Sequence, residues 1–404
     1  MLLKKTIKLL FYFFLYSLCF FVYFVIKIVS PFILIRFGSL RNDVIGNSLF
    51  DLEFYLSYKK KYPNKIKTID FFFPRINKYP NSFFKLMSKR HLNVSYYYKY
   101  MFNITNFFRD KKHLINMINP KNGSRDVIGL FENTQTNYYF TDEENNIGQQ
   151  FLNKYHVTNK KFVCLLVRDN SYKKNFQSHI KNDWSYHNYR NTDVKNFEKS
   201  VKYLLKNDYA VIRMGKSAEK KLLIDHKDFV DYPFIEDKSD FLDIWLMANC
   251  EFCITTGTGL DDVCVTFRKP IVEVSYLPLG HIRCNQAFTV SIFKKLKDKN
   301  SKNYLSISKQ IDTGLINSHY YEEYDNNKVN ILDNTENEIL DAVKEMKNKL
   351  NNKWVENDED LLRQKQFFEN LKKWTGFDTK IGKIHINSRI GQRYLKDNIK
   401  WLIS

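Results

Sequence analysis

From Leu9 to Ile26 the chain reads LLFYFFLYSLCFFVYFVI, with no charged residue, between Lys4, Lys5 and Lys8 on one side and Lys27 on the other. Phe or Tyr occurs in almost every turn, so the segment has no polar face to turn toward water. Extended to Val29, it approaches the roughly 20 residues that cross a bilayer as a helix. The IKIVSPF that follows contains no small-residue cleavage site, which makes residues 1–30 an expected uncleaved membrane anchor rather than a signal peptide. Lys4, Lys5 and Lys8 are nearly balanced by Lys27, Arg36 and Arg41, so flanking charge leaves the orientation open. The aromatic load also permits a helix lying in the interface.

Beyond this segment, short apolar runs alternate with amphipathic ones. Phe32–Phe37, Ile66–Phe73 and Leu92–Tyr97 read as strands, with helices expected at Val44–Tyr58 and Ser82–Arg90. Thr141 and Glu144 have capping-box spacing and open a helix running to about Tyr155. The alternation restarts with a strand at Phe162–Val167, a polar loop over 167–191, a helix at Asp193–Lys206, a strand at Tyr209–Gly215 and a helix at Asp240–Cys250. The expected fold is α/β, with two Rossmann-like domains built on parallel sheets and preceded by a transmembrane helix. Its expected divisions are the anchor at 1–30, a first domain at 31–158, a second at 159–325, and a charged helical segment at 326–404 packing back on them.

The formal charge of +20 raises the question of nucleic acid. Lys, Asn, Ile, Phe and Tyr are abundant throughout, however, and no RNA-binding signature, zinc-finger spacing or long basic arm is present, so no nucleic-acid partner is expected. The basic run KKLKDKNSK at 294–302 reads as a solvated loop. The six cysteines lie in apolar surroundings and read as buried thiols; Cys250 and Cys253 have C-x-x-C spacing without a second pair or a nearby His, so no metal is expected there. The Asp358–Asp360 triplet opens a charged helix, where carboxylates complement the dipole.

The stretch FCITTGTGLDDVCVTFRKPIVEVS, residues 252–275, reads as strand, Gly/Thr turn, helix start and strand. Gly257 and Gly259 would allow positive φ, and the amides of Thr256–Gly259 would point at an anion. The plainer alternative is a tight turn capped by Thr258 or Asp261. Ligands of open α/β sheets bind beyond the carboxyl ends of the strands. That rule selects Arg36, Gly38 and Arg41 in the first domain, and the loop they open, through Asp43 to Gly46, is the expected acceptor side. In the second the rule selects Arg168, Arg213, Gly215, Thr255, Thr256, Gly257, Thr258 and Gly259 as donor-binding, with the two guanidinium groups clamping a diphosphate. The long loop after Asp169 offers Asp169, Asp183 and His187 as the general base for an acceptor hydroxyl.

Three blocks, VCLLVRDNSYKK, DWSYHNYRNTDVKNFEKSVKYLLKNDYAVIRMGK and SDFLDIWLMANCEFCITTGTGLDDVCVTFRKPIVEVS, resemble the signature blocks of a bacterial glycosyltransferase family. IRFGSLRNDVIGN resembles its amino-terminal element and RIGQRYL its carboxyl-terminal one, so the resemblance spans roughly residues 34–400. It implies a GT-B-type enzyme of surface polysaccharide or lipopolysaccharide synthesis. Such an enzyme would use a nucleotide-sugar donor, a glycan or lipid-linked acceptor, no further cofactor and no required metal. The turn TTGTGLDD is richer in Thr and Asp than the glycine-serine turns of many GT-B enzymes. Because nucleotide-sugars are cytosolic, the catalytic part is expected on the cytoplasmic side of the inner membrane. A non-catalytic glycan-binding protein at the membrane surface, or a transferase of a non-sugar group such as pyruvyl, would share many of these features.

Overall fold

The computed structural model describes residues 2–117, 123–158, 160–171, 185–285 and 287–403. The chain forms two compact units, Met1–Ser124 and Arg125–Ser404. In the first, helix α1 (Leu2–Val29) leads into β1 (Ile33–Leu40), α2 (Ile45–Lys61), β2 (Lys67–Pro74), α3 (Ser82–His91), β3 (Asn93–Val94), α4 (Tyr98–Phe107) and β4 (Leu114–Ile115). The strands make one parallel sheet in the order β3-β2-β1-β4. Gly38 is needed for packing: a Cβ there would stand 2.9 Å from Ile115 and Phe72, so only hydrogen lets β4 close on β1. Cys19, Tyr23 and Ile26, one stripe of α1, pack with Phe37 and Met101.

The expected strand at Leu92–Tyr97 contracts to two residues, and α4 follows where no helix was expected. A continuous aromatic run such as SYYYKYMFNITNF has no clear period of 2 or 3.6, and the neighbouring surface of α1 decides for helix.

The second unit contains α5 (Asp142–Lys154), β5 (Lys161–Leu166), α6 (Glu198–Leu205), β6 (Tyr209–Arg213), β7 (Phe229–Asp231), α7 (Asp240–Asn249), β8 (Phe252–Thr255), α8 (Asp262–Thr266), β9 (Ile271–Tyr276) and β10 (Thr289–Phe293). It continues with β11 (Lys295–Asp298), β12 (Val329–Leu332), α9 (Glu336–Leu350), α10 (Asp358–Lys372), β13 (Arg389–Ile390) and α11 (Gln392–Asp397). Seven strands form a parallel sheet in the order β13-β10-β9-β8-β5-β6-β7. β6, β8, β9 and β10 are buried along their whole length, as apolar strands covered on both faces must be. From β5 the chain winds one way to β6 and β7, then returns to build β8, β9 and β10 on the other side. The switch point therefore lies between β5 and β8.

Three expectations change. The division falls at Ser124/Arg125 rather than near residue 158, because α5 belongs with the second sheet. Its Gly148 lies against the buried Trp245, whose Nε1 donates to Asn145 Oδ1 at 3.1 Å. A Cβ at Gly148 would stand 2.2 Å from the indole, so Gly148→Val is expected to cost about 1–3 kcal/mol in chemical denaturation. The basic run at 294–302 contains β11, paired antiparallel with β12, and its Leu296 is buried. Finally, the carboxyl-terminal segment supplies a strand as well as helices. β13 extends the sheet beside β10, and Gly391 allows the close approach, since a Cβ would sit 2.7 Å from Ile292 Cγ2. Met346, Phe367, Leu371, Leu395 and Leu402 complete the main core.

Candidate functional site

At the switch point Leu166 pairs with Thr255, so the chain leaving β5 and the chain leaving β8 emerge side by side. The backbone N–H of Arg168 donates to Thr256 Oγ1 at 2.9 Å, and the N–H of Thr256 to Leu166 O at 3.2 Å. Gly257 adopts φ +79°, and a Cβ there would stand 2.6 Å from the Tyr276 ring; glycine is required on both grounds. Gly259 does not have positive φ.

Three of the turn amides expected to face an anion, those of Thr256, Gly257 and Thr258, are already committed within the protein. Gly257 N–H donates to Thr255 Oγ1 at 3.0 Å and Thr258 N–H to Asp261 Oδ2 at 2.8 Å, while Thr255 Oγ1 donates to the same carboxylate oxygen at 2.7 Å. Neither Thr258 nor Asp261 makes a side-chain cap bond to α8; the Asp261 carboxylate instead ties down the turn that precedes it. α8 is a five-residue helix. Positive charge at the switch point therefore comes from side chains.

Arg168 is the first of these. Its Nε is buried and has no hydrogen-bond partner among the described residues. Burial, reinforced by the neighbouring Arg190, pushes its guanidinium down to about 9. Arg190 Nη2 donates to Gly257 O at 2.6 Å, which holds a second cation against the turn. Thr258 Oγ1, also buried, lacks a partner among the described residues. Lys294 lies nearby with its Nζ 2.6 Å from both Asp333 Oδ1 and Asn191 O, and burial lowers its pKa. Desolvating cations without full neutralisation is costly, and such groups are what a bound anion compensates.

On the other side of the turn, Arg283 Nη1 lies 2.7 Å from both Asp261 Oδ1 and Asp262 Oδ1, with its Nε 3.6 Å from Glu273 Oε1. Three carboxylates thus share one guanidinium. Burial raises Glu273 to about 7 against the pull of Arg283, and Asp262 to about 6 for the same reason. A folded-state value above that of the unfolded chain means that Glu273 contributes stability below about pH 4. That contribution is lost as pH rises through 7. Glu273→Gln is accordingly expected to flatten the decline in melting temperature between about pH 5 and 7 relative to the parent protein.

Tyr276 connects the turn to a pair of imidazoles: its hydroxyl donates to His281 O at 2.9 Å. His281 Nε2 lies 3.0 Å from Asn317 Oδ1, and the His281 and His319 rings are 4.4 Å apart at 68°. Burial first, and the charge of Arg125 among other neighbours, lower the pKa of both, so both are neutral near pH 7. Arg125 Nη1 donates to Lys380 O at 3.2 Å. The Tyr186 ring meets those of His187, at 3.9 Å, and Tyr320, at 5.4 Å, at tilts of 37° and 34°.

The remaining expected residues are placed as follows. Both carboxylate oxygens of Asp169 accept main-chain N–H groups, from Ser171 at 2.9 Å and Glu219 at 2.8 Å. Asp183 lies outside the described residues, and His187 is half-buried. Arg213 is buried and turned toward β7, where its Nη1 donates to Lys220 O at 2.6 Å and reaches Asp231 Oδ1 at 3.3 Å. It is not brought onto the Gly257 turn with Arg168, because β6 lies on the far side of β5 from β8. Gly215 follows it with φ +141°.

In the first unit, Arg36 stands opposite Asp70 in the β1–β2 register and forms a two-pronged pair with it, at 2.7 and 3.1 Å. Tyr55 Oη and Lys59 Nζ complete the shell of that carboxylate. Arg36 is thus committed inside the unit, and Gly38 to the β1–β4 contact. Arg41 Nε pairs with Asp43 Oδ1 at 2.9 Å, and Gly46 is buried in the first turn of α2.

A cavity of about 260 Å³ is lined by Val167, Asp169, Asn191, Thr192, Val194 and Arg213, among others, where the chain leaves β5 and β6. Asn191 Oδ1 and Thr192 Oγ1 are buried there without partners among the described residues. Arg190, Arg283, Arg125, His281 and His319 were not selected from sequence. Arg190 and Arg283 lie in loops whose return to the switch point no local pattern encodes.

No protein-family model and no curated protein matches the chain. Among solved structures it is similar to a glycosyl transferase family 9 protein from Veillonella parvula, with TM-score 0.43 and 10% identity over 76% of this chain and 95% of that one. It is also similar to ADP-heptose lipopolysaccharide heptosyltransferase II of E. coli, with TM-score 0.38 and 11% identity over 64% and 90%. A third is an S. aureus MnaA–UDP structure, with TM-score 0.25 and 10% identity over 80% and 98%.

Proposed function

We propose that the protein is a GT-B-type glycosyltransferase that moves a sugar from a nucleotide-sugar to a glycan or lipid-linked acceptor at a membrane. The observation that carries this reading is the buried Arg168 Nε, without a hydrogen-bond partner among the described residues, with Arg190 held against the Gly257 turn at the switch point of a parallel sheet, together with a cavity lined by Val167 and Asn191 in which polar atoms lack partners among the described residues. The nucleoside occupies the cavity, where Asn191 and Thr192 supply hydrogen-bonding atoms for a ribose or base. The diphosphate lies against the two guanidinium groups and Thr258 Oγ1.

When the glycosidic bond to the diphosphate breaks, negative charge grows on the leaving oxygen. Preplaced guanidinium groups in a largely desolvated site stabilise that charge without reorganising. The acceptor hydroxyl must lose its proton to a base that is unprotonated near pH 7. His319 meets that requirement, because burial holds its imidazole neutral. Asp169 is less suited, since both its oxygens already accept main-chain hydrogen bonds. The apolar α1 keeps the enzyme at the cytoplasmic face of the inner membrane.

Thermal-shift measurements with a panel of nucleoside diphosphates test the reading. One or more should raise the melting temperature, and the corresponding nucleotide-sugar should release its diphosphate on turnover with acceptor. A flat response to every nucleotide at millimolar concentration overturns it in favour of a glycan-binding protein or a transferase of another group.

A further inference from the structure

Helix α1 has the length and composition of a membrane span over Lys5–Val29, but its contacts place it differently. Tyr12 and Tyr16 meet the Tyr100 ring of α4 at 6.1 and 5.4 Å, and Asn103 Nδ2 donates to Tyr16 Oη at 3.0 Å. Farther along, Tyr23 stacks on Phe108 at 4.8 Å and its hydroxyl donates to Asp110, which also pairs with Lys27 at 2.9 Å. The helix is therefore held along its side from Tyr12 to Lys27. Only Leu2–Phe11 precedes these contacts, roughly 15 Å at 1.5 Å per residue. That is about half of the ~30 Å hydrocarbon thickness.

The level of the contacts matters as much as their extent. α4 is itself packed on the sheet, with Tyr98 against Phe71 of β2 at 4.7 Å. The part of α1 that would lie deep in a bilayer is thus level with the parallel sheet. A perpendicular α1 would draw the exposed Lys99 and Asn106 of α4 into hydrocarbon, where each is strongly disfavoured.

We infer that α1 and α4 form an in-plane membrane-binding surface that enters one leaflet of an anionic bilayer, rather than a bitopic anchor. The stripe Cys19, Tyr23 and Ile26 faces the unit, while Phe13, Phe14, Phe21 and Ile28 remain exposed at 74, 69, 68 and 75%. Tyr97 and Phe107 of the α4 region are exposed at 69 and 77% and extend this apolar surface. Lys5, Lys99, Arg109, Lys111 and Lys112 are exposed near the ends of the two helices. Such cations match anionic headgroups, and aromatic side chains suit the interface. Asp110, the acidic group between the helices, is already paired with Lys27. The inference rests on the membrane association proposed above and specifies its geometry.

The test uses the full chain in sealed membrane vesicles of both orientations, with single reporters Lys5→Cys and Lys60→Cys and a membrane-impermeant maleimide. The six native cysteines are buried. Both reporters should label in the same orientation; labelling in opposite orientations overturns the inference while leaving anchorage intact. In flotation with phosphatidylethanolamine vesicles containing phosphatidylglycerol, the double change Tyr97→Asp and Phe107→Asp should weaken partitioning about tenfold or more, since it places two charges on the lipid-facing surface. Unchanged partitioning overturns the inference. Absence of any vesicle binding by the parent removes membrane association as well, whereas the nucleotide response reports independently on the donor site.

Discussion

Arg168→Ala is expected to weaken nucleoside diphosphate binding by about 2–4 kcal/mol, roughly 30- to 700-fold, with the melting temperature unchanged or raised. The two effects separate because the parent guanidinium is desolvated without a compensating hydrogen bond at Nε among the described residues. Removing it deletes the cation that a diphosphate would meet and also relieves a burial cost in the unliganded protein. Arg213, which lines the cavity, differs from Arg168 in being held by partners within its own unit, so its removal is read first in stability. Its guanidinium is tied to Lys220 O and Asp231, so Arg213→Ala should lower stability by breaking the β6–β7 link. Isothermal calorimetry and thermal melts on both variants decide the matter. Retained affinity in Arg168→Ala would take the diphosphate away from the switch point.

Asp261→Ala is expected to cost about 3–5 kcal/mol of stability, because it strips a buried carboxylate from several partners at once. That carboxylate accepts from Thr255 Oγ1 and Thr258 N–H and pairs with Arg283. Asp262 still faces Arg283, but no other described side chain takes the Thr258 amide. Urea denaturation measures the loss, and Asp261→Asn should recover part of it by keeping one oxygen acceptor. If the amides at this turn were instead the ligand site, removing Asp261 would free the Thr258 amide and tighten diphosphate binding. A gain in affinity at little cost in stability would therefore reverse the assignment of the turn as a scaffold tied down by Asp261.

How much of this was legible beforehand depended on the range of the interactions involved. The Thr141–Glu144 capping box and the β8–turn–α8–β9 unit could be read because their determinants lie within a few residues of one another. Strand-end reasoning ranked Arg168 and Arg213 equally, since each follows an apolar strand by the same rule. The sheet order separates them: β5 adjoins β8, while β6 faces β7, so one arginine reaches the turn and the other reaches Asp231. Arg36 was selected as a strand-end cation, and only the register shows that its partner is Asp70 on β2. Convergence of Arg190, Arg283 and the His281–His319 pair had no local signal, because loops of different lengths bring them together.

By itself, the sequence determined the apolar segment at the amino terminus, the α/β alternation and the position of the glycine turn. Each follows from side-chain periodicity or backbone freedom over a few neighbouring residues. Tertiary structure alone decided which buried cation lacks a hydrogen-bond partner among the described residues, that Asp261 takes the Thr258 amide, and that α1 runs along the first unit. Those outcomes are set by which surfaces meet across the fold, where burial and pairing compete for the same charged groups.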